Sequence, residues 1–144
     1  MKDPFATAAK DMILPVLVRL SADHEPDLFF DGDRFMSHLN KTYDHFDIMT
    51  YSMTKSRFHV LGRIERLIYG LVQRGTTINA NARKLVRNNH IKLFICYVDD
   101  PSQPPTIYLG SQNLTHGTNL NIMYKVKPEH TQPLLAFFEL VWNS

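Results

Sequence analysis

Apolar and polar positions along the 144-residue chain alternate between helix-spaced and strand-spaced segments. In DGDRFMSHLNKTY, residues 31–43, Phe35, Met36 and Leu39 share one face, which predicts a helix capped by Asp31 or Asp33. HFDIMTYS, residues 45–52, predicts a buried strand. Val60, Leu61, Ile64, Leu67, Ile68, Leu71 and Val72 recur at three- and four-residue steps. That spacing predicts the longest helix, Phe58–Arg74, with Thr54 or Ser56 as its cap. GTTIN then predicts a short strand, NARKLVRN a short helix, and HIKLFICYV a strong strand. DDPSQPPT is a proline-rich loop, IYLG and NLNIMYKV are two further strands, and PEHTQPLLAFFELVW is a closing helix. Upstream, residues 1–11 read as a short helix or arm. Met12–Leu20 reads as a β-rich segment which Pro15 restricts to an edge, and 1–26 together form an N-terminal arm. No internal repeat or linker interrupts the chain. The succession predicts one α/β layered domain over 1–144, with a central mixed β-sheet flanked by helices.

Composition narrows the class. Lys2, Asp3, Lys10 and Asp11 break the first residues as a secretory signal, and the longest apolar run, Met12–Val18, is too short to span a bilayer. The single cysteine, Cys96, lies in an apolar run and reads as a buried small side chain, so a reducing cytoplasm is the expected compartment. The net charge of +2 hides an asymmetry. Lys55, Arg57, Arg63, Arg66, Arg74, Arg83, Lys84, Arg87 and Lys92 meet one acid, Glu65, across 55–92, a net +8; the remainder carries seven bases and thirteen acids, a net −6. A basic face of this kind suits a polyanion, and Lys55, Arg57, Arg63, Arg66, Arg83, Lys84 and Arg87 are its candidate nucleic-acid contacts.

Two short motifs carry chemistry. His90 and Lys92 are two apart in a predicted strand and would project from one face. Ser111 and Asn113, also two apart, follow the predicted strand Ile107–Leu109, so pairing of the two strands would gather all four side chains at one end of the sheet. Imidazole is a nucleophile and proton carrier, Lys a compact charge suited to phosphate, and Ser and Asn are neutral donors for a developing oxyanion. The set suggests phosphoryl transfer without a metal or cofactor.

These residues resemble the signature of the phospholipase D-like superfamily: HxK (His90, Lys92), a downstream acid, and GSxN (Gly110, Ser111, Asn113), continued here by Leu114 and Thr115. FDIMTYSMT is similar to the family's first core strand, and the likeness runs from about Asp27 to the C-terminus. The chain's size resembles the single-motif nucleases and related restriction endonucleases rather than the two-motif lipid enzymes. The resemblance implies His90 as a nucleophile forming a phosphohistidine. Lys92, Ser111 and Asn113 would then hold the phosphate in a site shared by two subunits of a homodimer acting on nucleic acid, DNA above all. Two positions depart from the family. Tyr97 stands where the motif acid falls, and Asn121 stands where the small nucleases carry a Glu that orients the histidine; an Asn carbonyl can accept an imidazole N–H in its place. The departures motivate an alternative, an inactive relative whose dimer binds DNA. A third reading, phospholipid hydrolysis, is opposed by the single motif and by the absence of a membrane-binding amphipathic stretch.

Remaining features read as structure. DGD (31–33) is a turn with a helix cap, and DHFD (44–47) a pair of solvated strand-flanking charges, with no recognised metal spacing. His24, His38, His45, His59 and His130 read as surface residues, and His116 stands close enough to GSQN to be tested. Phe137, Phe138 and Trp142 read as packing, and Tyr51 as packing or as a border of the site.

Overall fold

Strands β1 (Leu28–Phe29), β2 (His45–Met53), β3 (Ile64–Val72), β4 (Ala82–Leu85), β5 (Leu93–Tyr97), β6 (Thr106–Gly110) and β7 (Met123–Lys125) pair into one sheet in the order β1-β7-β6-β5-β2-β3-β4. The computed structural model describes residues 9–13, 15–16, 19, 27–53, 61–72, 79–113 and 121–144. The pairs β2–β3 and β3–β4 are parallel, whereas β2–β5, β5–β6, β6–β7 and β7–β1 are antiparallel. The C-terminal ends of β1, β2, β3, β4 and β6 therefore share one end of the sheet with the starts of β5 and β7.

Helix α1 (Gly32–Thr42) covers one face and α2 (Thr131–Trp142), entered through the 3₁₀ turn Pro128–His130, covers the other. Phe35, Met36 and Leu39 of α1 pack with Phe46, Ile48, Leu67, Phe94 and Tyr108. Phe138 of α2 packs with Met49, Ile68, Leu93, Ile95 and Ile107. Strand β5 feeds both cores by strict alternation, Phe94 and Cys96 to one side, Leu93 and Ile95 to the other. Asp31 caps α1 as expected, its carboxylate accepting from the Asp33 N–H at 2.9 Å. The mixed sheet with helices on both faces is the expected α/β layered architecture.

Two expected helices are strands. Residues 64–72 form β3, and 82–85 form β4; the outer parts of the expected helix, 58–60 and 73–74, and all but Asn79 of GTTIN lie outside the described residues. The reason lies in a bulge. Ile64 stands opposite Phe46 but Arg66, not Glu65, stands opposite Asp47, so Glu65 is an extra residue. The bulge returns Ile64 and Leu67, three apart, to the same core, while Ile68 enters the other. Burial of both faces erases the alternation that would have marked a strand. In β4 the exposed edge of β3 supplies a parallel partner, with Arg66↔Ala82 and Ile68↔Lys84 in register, and pairing overrides a composition suited to a helix.

Smaller differences follow from packing. Pro15, Val16 and Arg19 are helical rather than extended, and Ala9–Ile13 form a π-helical turn. Leu28–Phe29, expected as part of a turn, add an edge strand on β7. Asp47, expected in solvent, is buried, and His38 and His45 are half-buried against aromatic rings, His45 stacking on Tyr97 at 4.9 Å.

Candidate active site

Regular pairing of β5 starts at Leu93, so His90 and Lys92 stand on the irregular lead-in to the strand rather than in it. The lead-in is pinned from behind. Buried Asn89 donates through Nδ2 to the Thr50 carbonyl at 3.2 Å, and its Oδ1 accepts the Ile91 N–H at 2.9 Å. The exposed His90 ring lies on the Tyr51 ring, with centroids 4.1 Å apart and planes 12° from parallel. Lys92 Nζ folds back to the His90 carbonyl at 2.6 Å. The apolar side chains of Met49, Val86, Ile91, Phe137 and Val141 border an open hollow of about 200 Å³ beside the imidazole.

The GSQN segment arrives at the same end from β6. Gly110 meets β7 so closely that a Cβ there would lie 1.8 Å from the Ile122 carbonyl oxygen, and the Ser111 N–H donates to that oxygen at 2.9 Å. Only glycine fits. The Ser111 hydroxyl accepts the Ile122 N–H at 2.9 Å and donates to Asn121 Oδ1 at 3.2 Å. Asn113 reaches across to the end of β2: its Oδ1 accepts from Tyr51 N–H at 3.0 Å, Ser52 N–H at 3.2 Å and Thr50 Oγ1 at 3.2 Å. With the carbonyl half fully used, the Nδ2 half is left as a donor held in fixed orientation.

Register joins the two motifs. Leu93 faces Leu109, and the Gly110 N–H reaches the Lys92 carbonyl at 3.4 Å. Tyr51 links them a second way, its backbone to Asn113 and its ring to His90. His90, Lys92, Ser111 and Asn113 thus gather at one end of the sheet. Asn121 reaches the same end, where its amide oxygen holds Ser111. Tyr97 lies at the opposite end of β5, its hydroxyl donating to Asp47 at 3.1 Å; burial, then the Asp47 charge, pushes that phenol well above the ordinary tyrosine range.

The basic residues divide by position. Arg66 grips Glu139 through both oxygens, at 2.6 and 3.0 Å, and Asp47 at 2.8 Å, while its guanidinium lies 4.8 Å from the Phe138 ring centroid. Its hydrogen bonds to Glu139 and then to Asp47 hold its pKa above the usual arginine value. Arg63 bonds Glu65 at 2.7 Å, and Lys84 donates to the carbonyls of Trp142 and Ser144. Arg83 and Arg87 are exposed, with Arg87 in the turn that leads to His90. Lys55, Arg57, Arg74, His59 and His116 lie outside the described residues. Sequence reasoning missed Asn89, the buffer between β2 and the His90 lead-in, although its place directly before HxK was a signal. Cys96 is buried as expected, and burial raises its thiol well above the ordinary range.

Fold and layering define an α/β protein with a mixed seven-stranded sheet between two helices. The solved structure of NucT from Helicobacter pylori shares the fold, with a TM-score of 0.58 and 16% sequence identity over 81% of this chain and 94% of that one. No family model matches the sequence, and no curated protein does. Among the described residues no helix is long and apolar enough to cross a membrane.

Proposed function

We propose that this chain is a phosphodiesterase that cleaves nucleic acid, DNA in the first place, through a phosphohistidine in a site completed by a second copy of itself. The observation that carries the reading is the meeting of His90, Lys92, Ser111 and Asn113, the residues of the phospholipase D-like signature this sequence resembles, at one sheet end, in a fold shared with NucT from Helicobacter pylori.

A ring nitrogen of His90 attacks phosphorus, and the bond from phosphorus to the leaving oxygen breaks. That oxygen takes a proton from the imidazole of the second copy. Water then attacks phosphorus, the P–N bond breaks, and the proton of the water passes back to the second imidazole. The Asn113 amide donates to the phosphoryl oxygens as charge grows there, joined by the Ser111 hydroxyl once it turns from Asn121. Lys92, released from the His90 carbonyl, supplies a compact positive charge. Exposed Leu71, Leu85, Ile91 and Ile122 lie toward the same end of the sheet, an apolar surface that a symmetric partner would bury. Arg83 and Arg87 track the phosphate backbone.

The test uses wild type and His90→Ala on plasmid, single-stranded DNA and RNA, each with and without EDTA. Cleavage is expected to persist in chelator and to fall by about a thousandfold or more without the imidazole. Undiminished cleavage by the Ala protein refutes the reading. A second reading, a DNA-binding dimer without turnover, is favoured by one feature: among the described residues no carboxylate hydrogen-bonds the His90 ring. Turnover above background that depends on His90 excludes it.

A further inference from the structure

The His90 side chain faces a mechanical difficulty. It is exposed and projects from an irregular lead-in, where an imidazole has several rotamers open to it. A nucleophile must meet phosphorus in line, and a displacement of about 1 Å can cost on the order of a hundredfold in rate. The offset, nearly parallel contact with Tyr51, at 4.1 Å between centroids, fixes the plane of the imidazole from beneath. Tyr51 is itself held on two sides. Its backbone N–H is tied to Asn113 at 3.0 Å, and its ring fills the space that a side chain at Gly70 would occupy. A Cβ at position 70 would stand 2.8 Å from Tyr51 Cδ1 and 3.0 Å from the carbonyl oxygen of Asn89, the residue preceding His90. One glycine thus keeps open the room for the platform ring and for the chain that carries the nucleophile.

We propose that Tyr51 is a positioning residue, the platform that holds the His90 ring in its attacking orientation, with Gly70 as the space that platform requires. The proposal rests on the nuclease reading above and adds a residue to it. Tyr51 acts through its face, not its hydroxyl, so an aromatic ring is what position 51 needs. It touches His90 rather than substrate, so its loss lowers turnover and leaves binding largely alone.

The experiment compares Tyr51→Phe, Tyr51→Leu, Tyr51→Met and Gly70→Ala in the full chain. It reads kcat and KM on a DNA oligonucleotide in EDTA, and the His90 ring-proton resonance, assigned by its loss in His90→Ala. Phe is expected to keep kcat within about twofold. Leu, Met and Gly70→Ala are expected to lower kcat about 10- to 100-fold with KM within about twofold, and to move the His90 resonance as the ring current is lost. The Met protein serves if the Leu protein does not fold. Full kcat and an unmoved resonance in either aliphatic variant overturn the proposal, as does a Phe protein as slow as the aliphatic ones. The two readings fail separately. Cleavage that needs His90 but no aromatic ring at position 51 sinks the platform alone, whereas cleavage undiminished in His90→Ala sinks the nuclease reading on which it stands.

Discussion

Asn113 uses the two halves of its amide for different purposes. Its oxygen accepts two backbone N–H groups and a hydroxyl from residues 50–52, closing the end of β2, and its nitrogen is left to donate. Aspartate at this position keeps an acceptor for all three donors but sets an anionic oxygen where the substrate's oxygens would come. Asn113→Asp is therefore expected to fold with a Tm within about 4 °C of wild type while cleavage falls about a hundredfold or more. Asn113→Leu strands the two backbone N–H groups, at about 1–3 kcal/mol each, and loses stability as well. Thermal melts beside cleavage rates separate the two, and an Asp protein of wild-type activity would show that the amide is no donor. The residue types of the site were legible in sequence because HxK and GSxN are short and local. What Asn113 and Tyr51 do was not. The partners of Asn113 lie some sixty residues upstream, 61 to 63 positions away, and only the placement of β6 near β2 through β5 brings them together.

Element by element, spacing read α1, β2, β6 and α2 well because each turns apolar side chains onto one or both of the two cores. It failed on β3, where an inserted Glu65 makes a strand keep helical time. The same strand carries Arg66, which ties β2 to α2. Asp47 is 4% exposed, so removing its cation leaves a buried charge unmatched, whereas the Glu139 side chain is 51% exposed and its pair is screened. Arg66→Met is accordingly expected to cost about 3–5 kcal/mol, and Glu139→Gln about 1 kcal/mol or less. Arg66 holds the Glu139 carboxyl below its ordinary range. A carboxyl depressed in the folded state stabilises above its unfolded pKa and loses that contribution as pH falls through the folded one. The gap between wild type and Glu139→Gln should therefore be full at pH 7 and close below the ordinary carboxylate range. Denaturant titrations at several pH values measure it, and a gap that widens in acid would contradict the pairing.

Across the whole molecule, the described bases of the +8 window, residues 55–92, do not share one face. Arg63 and Arg66 stand at the start of β3, away from His90, each engaged by carboxylates, while Arg83 and Arg87 are exposed on the path to it. Counting charges along a sequence cannot see which are neutralised across a sheet. The proposed symmetry offers a sharper whole-molecule test than charge. If attack by one imidazole and protonation by its mate occur in one shared site, a dimer holding one wild-type and one His90→Ala chain has no complete site. After equal amounts of the two proteins are mixed and allowed to exchange, random pairing leaves about a quarter of the dimers wholly wild type. Cleavage should then settle near about a quarter of that of the same total concentration of wild type, as only those dimers are complete. Independent sites in each chain would instead leave about half, because every wild-type chain would work regardless of its neighbour. Following the rate as exchange proceeds, with oligomeric state checked by light scattering, distinguishes the two. A plateau at half would remove the shared site while leaving the chemistry of a single His90 standing.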